Sequence, residues 1–572
     1  MPTQNELKRF DDFLDLWSRR EFVRRLGAGV AFAAFMGGGL ELLEACGTNQ
    51  ATGQTTSATP KKGGHVIYGQ SYDITNMNTA IAPGLTGNIV VNLMLFDGLL
   101  FYKPDGTLIP SLAQLPEVSP DGTTYTFKLN PKATFSDGSA ITAEDAKFTY
   151  DLMFDPQFKD VPSPRRSELE TYVQSITAVD PHTLVIKLKQ VWAPFLVYHG
   201  AYGIMPKKVF AGMNGKQIAT ADFNTNPTIT GGQYKWVKWD KGQQLSLARN
   251  ESYWGQKAYL DTYVQRVIPD TTQLSNAIKT GEVDIGSVSP SLVDSFKGVP
   301  NVIIYAFTVP TIYFYAYNLN PDKPQSKFFL DRGVRQALVY AMNRQQMVNA
   351  VWFGYASVAN SWVSPTSWGY NSGTRPVYNY DPNKAGQLLD AAGWKMNSST
   401  GIREKNGVPF KIEMDISSAS KESVSMGQII QQQWKAVGVD LTPKPLETTT
   451  LVRNFEFNHD HYTSMISVNL AVAEPDEAIL FHSRNTVVGG LNGADYKNPE
   501  LDTLFNDGVS TLDQKKRKDI YVKIQNVLQE DQPFVELLVP KGIFGYNKRV
   551  QGTEFGPAGR PINKNMWVDD GK

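Results

Sequence analysis

The sequence predicts an α/β body of more than one lobe, on three observations. Alternating apolar strands, Thr124–Leu129 and Thr183–Leu188 among them, are interleaved with capped helical stripes rather than grouped apart from them. The 572 residues exceed what a single hydrophobic core serves at roughly 100–200 residues per domain. Two Pro-bounded apolar strands read as crossings between lobes: Thr311–Asn318, which enters a turn near Pro321 and Pro324, and Pro533–Pro540. If both crossings join the same pair of lobes, the first lobe is discontinuous and the second is inserted within it.

Taken in chain order, the N-terminus reads as an address. Ser18-Arg19-Arg20-Glu21-Phe22-Val23 is a twin-arginine pair followed by apolar residues, and Leu26 to Leu40 is Gly/Ala-rich and apolar. That run is about fifteen residues, short of the ~20 that a spanning helix needs, so it reads as an export signal. Leu43-Glu44-Ala45-Cys46-Gly47 resembles a lipobox with Cys46 as the lipidated residue, although Glu44 and Glu41 are unusual within one. The expected span is 1–45 for the signal and 46–62 for a tether, because Thr48 to Pro60 carries no large apolar residue to offset ordering entropy. Twin-arginine export implies folding before translocation. The competing reading is an amphipathic N-terminal helix with an incidental Cys.

Further on, Val66–Tyr68 and Val302–Tyr305 are short β-rich runs. Thr142-Ala143-Glu144-Asp145 has the form of a capping box with Asp in place of Glu. A helix is expected from Thr272 through Ile278, stopped by Gly281. From Asp331, Val334, Ala337, Leu338, Ala341 and Met342 share one stripe, and Asp381-Pro382 opens a helix that ends at Gly393.

Composition excludes several functions. Lys plus Arg equals Asp plus Glu at 56 each, which leaves no basic surface excess for nucleic acid. A single Cys excludes an internal disulfide framework, a CxxC zinc site and a dithiol motif. No H-E-x-x-H, G-x-S-x-G or Walker-type loop occurs. His459-Asp460-His461, with His482 further on, could ligate a metal if the first three lay on a strand; with six His in the chain, coincidence is the simpler reading. No cofactor or resident metal is expected.

Several ordered blocks carry a family resemblance. The first is Leu95-Phe96-Asp97-Gly98-Leu99-Leu100, Pro104-Asp105-Gly106, Pro110-Ser111-Leu112-Ala113, Ser119–Leu129, Phe135-Ser136-Asp137-Gly138 and Thr142–Ala146. The second is Gly231-Gly232-Gln233-Tyr234, Asn250–Gly255 and Gly281–Ile285. The third is Val334–Leu338, Ala341–Arg344, Tyr380-Asp381-Pro382 and Ala391–Trp394. Together they resemble the extracytoplasmic solute-binding proteins of peptide and nickel ABC importers (family 5). The resemblance implies a two-lobe periplasmic-binding-protein fold (type II, cluster C-like) with hinge strands and an extra subdomain in lobe I. The expected bounds are 63–317 for lobe I, with the subdomain at about 110–235, 318–536 for lobe II, and 537–572 for the return to lobe I. It also implies a non-enzymatic, monomeric receptor that binds a peptide or oligosaccharide by hinge closure. It would deliver this solute to an ABC permease, outside the cytoplasmic membrane. The rivals are an exported hydrolase and a chemoreceptor-associated binding protein.

Most signature residues read as structural: the Asp-Gly pairs at 97–98, 105–106, 121–122 and 137–138 as turns, Arg335 and Trp254 as packing. For the solute, relatives place an Asp four residues before a Pro on the ligand's α-amine. In Asn469-Leu470-Ala471-Val472-Ala473-Glu474-Pro475-Asp476 that position is Ala471, whose methyl cannot hold an ammonium. Glu474 could substitute from a displaced position or merely cap a loop. Trp192, Trp362 and Trp368 could stack on a polar uncharged solute or fill cores. Tyr72, Asp73 and Asn76 follow the first strand, at a loop that borders the cleft in the family. Tyr317 and Asn318 end the first hinge strand and either touch solute or pin the hinge.

Overall fold

The computed structural model describes residues 59–81, 94–103, 106–470, 474–487, 490–554 and 565–570. The expected export signal, Cys46, most of the tether and Ala471 lie outside the described residues. Contacts divide the chain into two compact units, one extending to Phe307 and resuming at Ile543, the other Thr308–Gly542. The chain thus passes between units at Phe307–Thr308 and at Gly542–Ile543. The aromatic strand Thr311–Tyr317 falls wholly inside the second unit, so the contact boundaries sit several residues away from the expected 317/318 and 536/537.

In the first unit, His65–Gln70 lies parallel to both Thr262–Val267 and Ile285–Ser287. Thr262–Val267 continues antiparallel into Gln244–Arg249 and the edge strand Tyr234–Asp240. On the other side, Ile285–Ser287 pairs antiparallel with Phe544–Tyr546 of the returning chain. Between residues 70 and 234 the chain builds a second, four-stranded antiparallel sheet, ordered Glu117–Val118, Thr124–Lys128, Thr183–Leu188, Val173–Asp180. The helix Ala143–Phe154 packs on it, started by the expected capping box: Asp145 accepts the Thr142 N–H at 2.9 Å. Helix Thr271–Thr280 starts on Asp270, whose side chain accepts the Gln273 N–H, and stops at Gly281 with φ 78°. One expected turn is absent. Gly98 has no positive φ; it sits in a bridge to Gly203, where a Cβ would lie 2.7 Å from the Ala201 backbone, and Asp97 accepts the Tyr253 hydroxyl at 2.5 Å. That Asp-Gly pair serves close packing rather than chain reversal.

In the second unit the sheet order is Asp440–Leu446, Lys411–Ser417, Thr463–Asn469, Thr311–Tyr317, then the first half of Phe534–Asn547 with Ala356–Val358 beyond it. Every residue of Thr311–Tyr317 is buried, as a strand covered on both faces requires. Helices Arg332–Tyr340 and Pro382–Ala391 pack on each other and Lys421–Lys435 packs on the sheet; the first two are capped by Asp331 and Asp381 as the sequence suggests. The first stops at Tyr340, short of the predicted stripe, because Asn343 caps a new helix, Arg344–Ala350. Arg344 is buried and donates to the carbonyls of Ala359, Glu536 and Tyr378 and to Asn360 Oδ1. Strand Phe534–Asn547 runs through Pro540 instead of ending there; that carbonyl accepts the Val309 N–H. Among the described residues, no helix is long and apolar enough to cross a membrane.

Candidate functional site

Candidates in the first unit are engaged in the fold. Asp73 accepts the Trp239 indole N–H at 3.1 Å on both oxygens and the Gly242 N–H at 2.6 Å, which ties the loop after the first strand to the turn of the Tyr234–Arg249 hairpin. Asn76 accepts the Asn78 N–H at 2.7 Å, and Tyr72, immediately before Asp73, is half-buried. Trp192 is buried and stacks on Tyr172 at 4.3 Å and 9°. Beside it lies buried His199, whose Nδ1 is 2.8 Å from the Tyr202 hydroxyl and whose Nε2 is 3.2 Å from Glu168. Burial pushes the His199 pKa down.

In the second unit, Tyr317 is buried against Tyr315 and Phe329. Asn318, also buried, donates to the carbonyls of His459 and His461 at 2.9 and 3.0 Å and so fastens the 459–461 loop to the strand end. Trp362 is a core residue, wedged among Phe314, Phe481 and Phe534. The metal alternative fails on geometry. His459 has φ 47° and follows an irregular helical turn, so strand alternation does not hold, and its Nδ1 faces Asp495 at 2.8 Å. Burial, with His459 nearby, pushes His461 down to about 3. Among the described residues no three His, Cys, Asp or Glu side chains form a metal-holding group.

Three segments converge elsewhere in this unit. Strand Thr463–Asn469 ends with exposed Asn469 opposite Thr311, and the buried Leu470 donates its N–H to the Pro310 carbonyl at 2.6 Å. Past the undescribed residues 471–473, Glu474 is buried and meets Arg517 at 2.5 Å (Nη2 to Oε2) and 3.3 Å (Nη1 to Oε1). Arg517 lies on helix Gln514–Asp531, its guanidinium carbon 5.1 Å from the Trp368 ring centre and 5.7 Å from that of Tyr521. Trp368 is half-buried and meets Tyr521 edge-on at 6.2 Å and 84°. The Trp368 loop packs directly on Pro475, since a Cβ on Gly369 would come within 2.4 Å of it. Gln525, two turns along the same helix, holds that loop's backbone through the Gly369 carbonyl at 3.0 Å and the Asn371 N–H at 3.1 Å.

The candidate cluster therefore joins Trp368 and Glu474, both named as candidates from the sequence, to Arg517 and Tyr521, which sequence reasoning passed over. Arg517 sits in the run Lys515-Lys516-Arg517-Lys518, which reads as a solvated face. The available signal was its helical spacing: it shares a stripe with Tyr521, Ile524 and Leu528, all buried. Burial opposes the Arg517 charge, but Glu474 and Tyr521 more than offset it, and its pKa is raised. The Glu474 carboxyl is raised by burial, against the pull of Arg517 and of the Trp368 indole. Burial pushes Asp476 up to about 7, and raises Glu477 well beyond the usual carboxyl range with help from Asp476. The arrangement presents an aromatic face beside a closed ion pair.

A model of the family described as bacterial extracellular solute-binding proteins, family 5 Middle, matches residues 107–487. The chain belongs to this family. It is 26% identical over 532 residues to the oligopeptide-binding protein AppA of Bacillus subtilis, covering 92% of this chain and 96% of that one. The structure of that AppA in complex with a nonapeptide aligns with a TM-score of 0.76 at 27% identity, over 90% of this chain and all of the other. NikZ from Campylobacter jejuni, solved in complex with Ni(L-His), aligns with a TM-score of 0.74 at 26% identity, over 88% and 99% of the two chains. The mixed α/β, two-lobe fold implied by the sequence resemblance is the fold of these family 5 structures. Members of family 5 are extracellular binding proteins, which fits a chain that binds rather than transforms its solute.

Proposed function

We propose that this family 5 protein is the receptor of an ABC importer for a peptide-class solute whose amino end is not held by a carboxylate. The engagement of Glu474 carries this reading. Ala471 has no charge to offer, and Glu474, the nearest acid before Pro475, is buried and paired with Arg517. Withdrawing it to hold an ammonium would leave a buried guanidinium unpaired, at a cost of about 3–5 kcal/mol. The similarity to an oligopeptide-binding protein over nearly its whole length supports the peptide class. The half-buried Trp368 face offers stacking area for a backbone or side-chain plane. It also keeps an oligosaccharide as the second reading, since sugar rings stack on such faces. In this proposal Cys46 carries the lipid anchor on the outer face of the membrane. Solute closes the two units by binding the closed state more tightly, with the chain crossings at 307/308 and 542/543 as the hinge.

The test begins with native mass spectrometry of the purified chain for retained solute. Thermal-shift titrations with free peptides, their N-acetylated forms and oligosaccharides follow. A peptide present at 100 times its Kd should stabilise by about 2.7 kcal/mol. Free and N-acetylated forms should bind within about threefold of each other, a difference under 1 kcal/mol. A preference of about a hundredfold for the free amine overturns the amino-end reading. Stabilisation by oligosaccharides alone replaces the peptide class, and accumulation of a cleaved product turns the receptor into a hydrolase.

A further inference from the structure

We propose that Arg517 and Glu474 are positioning residues that hold the Trp368 indole in one orientation as a platform for solute. Trp368 lies in an irregular stretch between strand Ala356–Val358 and helix Pro382–Ala391, so no regular element fixes its ring. Its backbone and its side chain are held by different partners. Gln525 bonds the Gly369 carbonyl and the Asn371 N–H, and it also accepts the Ser361 hydroxyl at 2.7 Å. The ring is held by Arg517 at 5.1 Å, by Tyr521 edge-on at 6.2 Å, and by the Glu474 carboxylate, on which the indole N–H acts directly. Arg517 in turn has little freedom: its Nε donates to the Gly508 carbonyl at 2.9 Å and its two terminal nitrogens reach Glu474. Its planar fork can satisfy the carboxylate in its own plane and present a face to the indole, which a Lys ammonium cannot do.

The location argues that the pair does more than hold the fold. Buried ion pairs are weak stabilisers next to well-packed apolar side chains of similar volume. Here the buried pair lies against a ring that is only half-buried, so its geometry sets the orientation of the most exposed of these four side chains. That Trp368 meets solute rests on the proposed function; that Arg517 and Glu474 fix its ring does not.

The experiment uses the full chain with Arg517→Met, Arg517→Lys, Glu474→Gln, Trp368→Phe, Trp368→Ala and the Arg517→Met/Trp368→Ala pair, and has two readouts. In solute-free protein, the Trp368 share of the fluorescence is the parent signal minus that of Trp368→Phe, and its acrylamide quenching reports ring exposure. Arg517→Met should raise that quenching about twofold, and Glu474→Gln should move it the same way, since each removes a contact of the cation–π or charge-assisted class. Arg517→Lys, which keeps the charge and the fold, should give an intermediate value. The second readout is the Kd for N-acetylated Ala-Leu-Ala. Arg517→Met should weaken it about tenfold, or about 1.4 kcal/mol, and should weaken a Trp368→Ala protein hardly at all if Arg517 acts through the ring. Unchanged quenching in both Arg517→Lys and Glu474→Gln overturns the inference, as do additive effects of Arg517→Met and Trp368→Ala on Kd. Absence of tripeptide binding in the parent counts against the proposed function, while the quenching result still decides the positioning role.

Discussion

Two tryptophans that look alike in sequence should respond differently to truncation. Trp362 is 1% exposed and lies 5.2 Å from Phe314, 4.8 Å from Phe481 and 5.6 Å from Phe534. Burying an indole removes roughly 200 Å² from water, about 5 kcal/mol at 25 cal/mol/Å² as an upper bound. Core Trp→Ala changes cost about 3–5 kcal/mol, so Trp362→Ala should lose about 4. Thr308–Gly542 falls in the size range where each kcal/mol moves Tm by about 2–4 °C, giving a drop of about 8–16 °C. Trp368→Ala gives up a half-buried ring and an Arg517 contact, about 1 kcal/mol of stability and about 2–4 °C. Calorimetry of the full chain reads the stability change, and titration with the solute retained on purification reads binding. The expected pattern is a destabilised Trp362→Ala that still binds when cold, and a stable Trp368→Ala that binds poorly. A Trp362→Ala protein that melts within about 2 °C of the parent and has lost binding would refute the assignment of that ring to the core.

Replacing Arg344 with Met removes four hydrogen bonds from a buried cation and should cost about 3–5 kcal/mol in the melting of the 308–542 unit; Lys, reaching fewer acceptors, should recover only part of it. Burial pushes the Glu536 carboxyl from 4.5 up to about 7, and its Oε1 has no hydrogen-bond partner. A folded pKa above the unfolded value means stability fully present below pH 4.5 and lost as pH rises through 7, about 3 kcal/mol for this group. Glu536→Gln should therefore melt higher than the parent at pH 8 and match it at pH 4.5; the reverse order of melting temperatures would exclude this. Asp73→Ala should cost roughly 1–3 kcal/mol of stability and speed amide exchange in the turn at 240–243, because it removes the acceptor for Trp239 and Gly242.

Local rules made much of the fold legible. The caps at Thr142, Asp331 and Asp381 and the stop at Gly281 depend on groups within four residues of one another, which a sequence displays directly. Strand Phe534–Asn547 ran on past Pro540 because its pairing partners, not its own composition, decide where it ends. Asp97-Gly98 looked like a turn because the reason for its glycine, the Ala201 backbone, lies a hundred residues away. The same separation hid the site. Glu474 could be seen as an acid near a Pro, but its engagement depends on Arg517, and Arg517 looks like one more surface cation among lysines until the helix places it opposite Trp368. Trp192 and Trp362 illustrate the converse: aperiodic flanking sequence left their rings open to either role, and burial is a property of distant neighbours.

The way the first unit is sewn shut bears on how the chain is made. His65–Gln70 is made long before Phe544–Tyr546, so its sheet stays incomplete until the whole of Thr308–Gly542 has been translated. Arg549 then clamps Asp284 at 2.7 and 2.8 Å and the His65 carbonyl at 2.9 Å, and Trp567–Val568 adds a last small ladder on Val550–Gln551. The inserted unit, continuous in sequence, can reach its native contacts while that seam is still open; the unit begun first is finished last. A nascent polypeptide of this design cannot complete its units in the order in which they are begun.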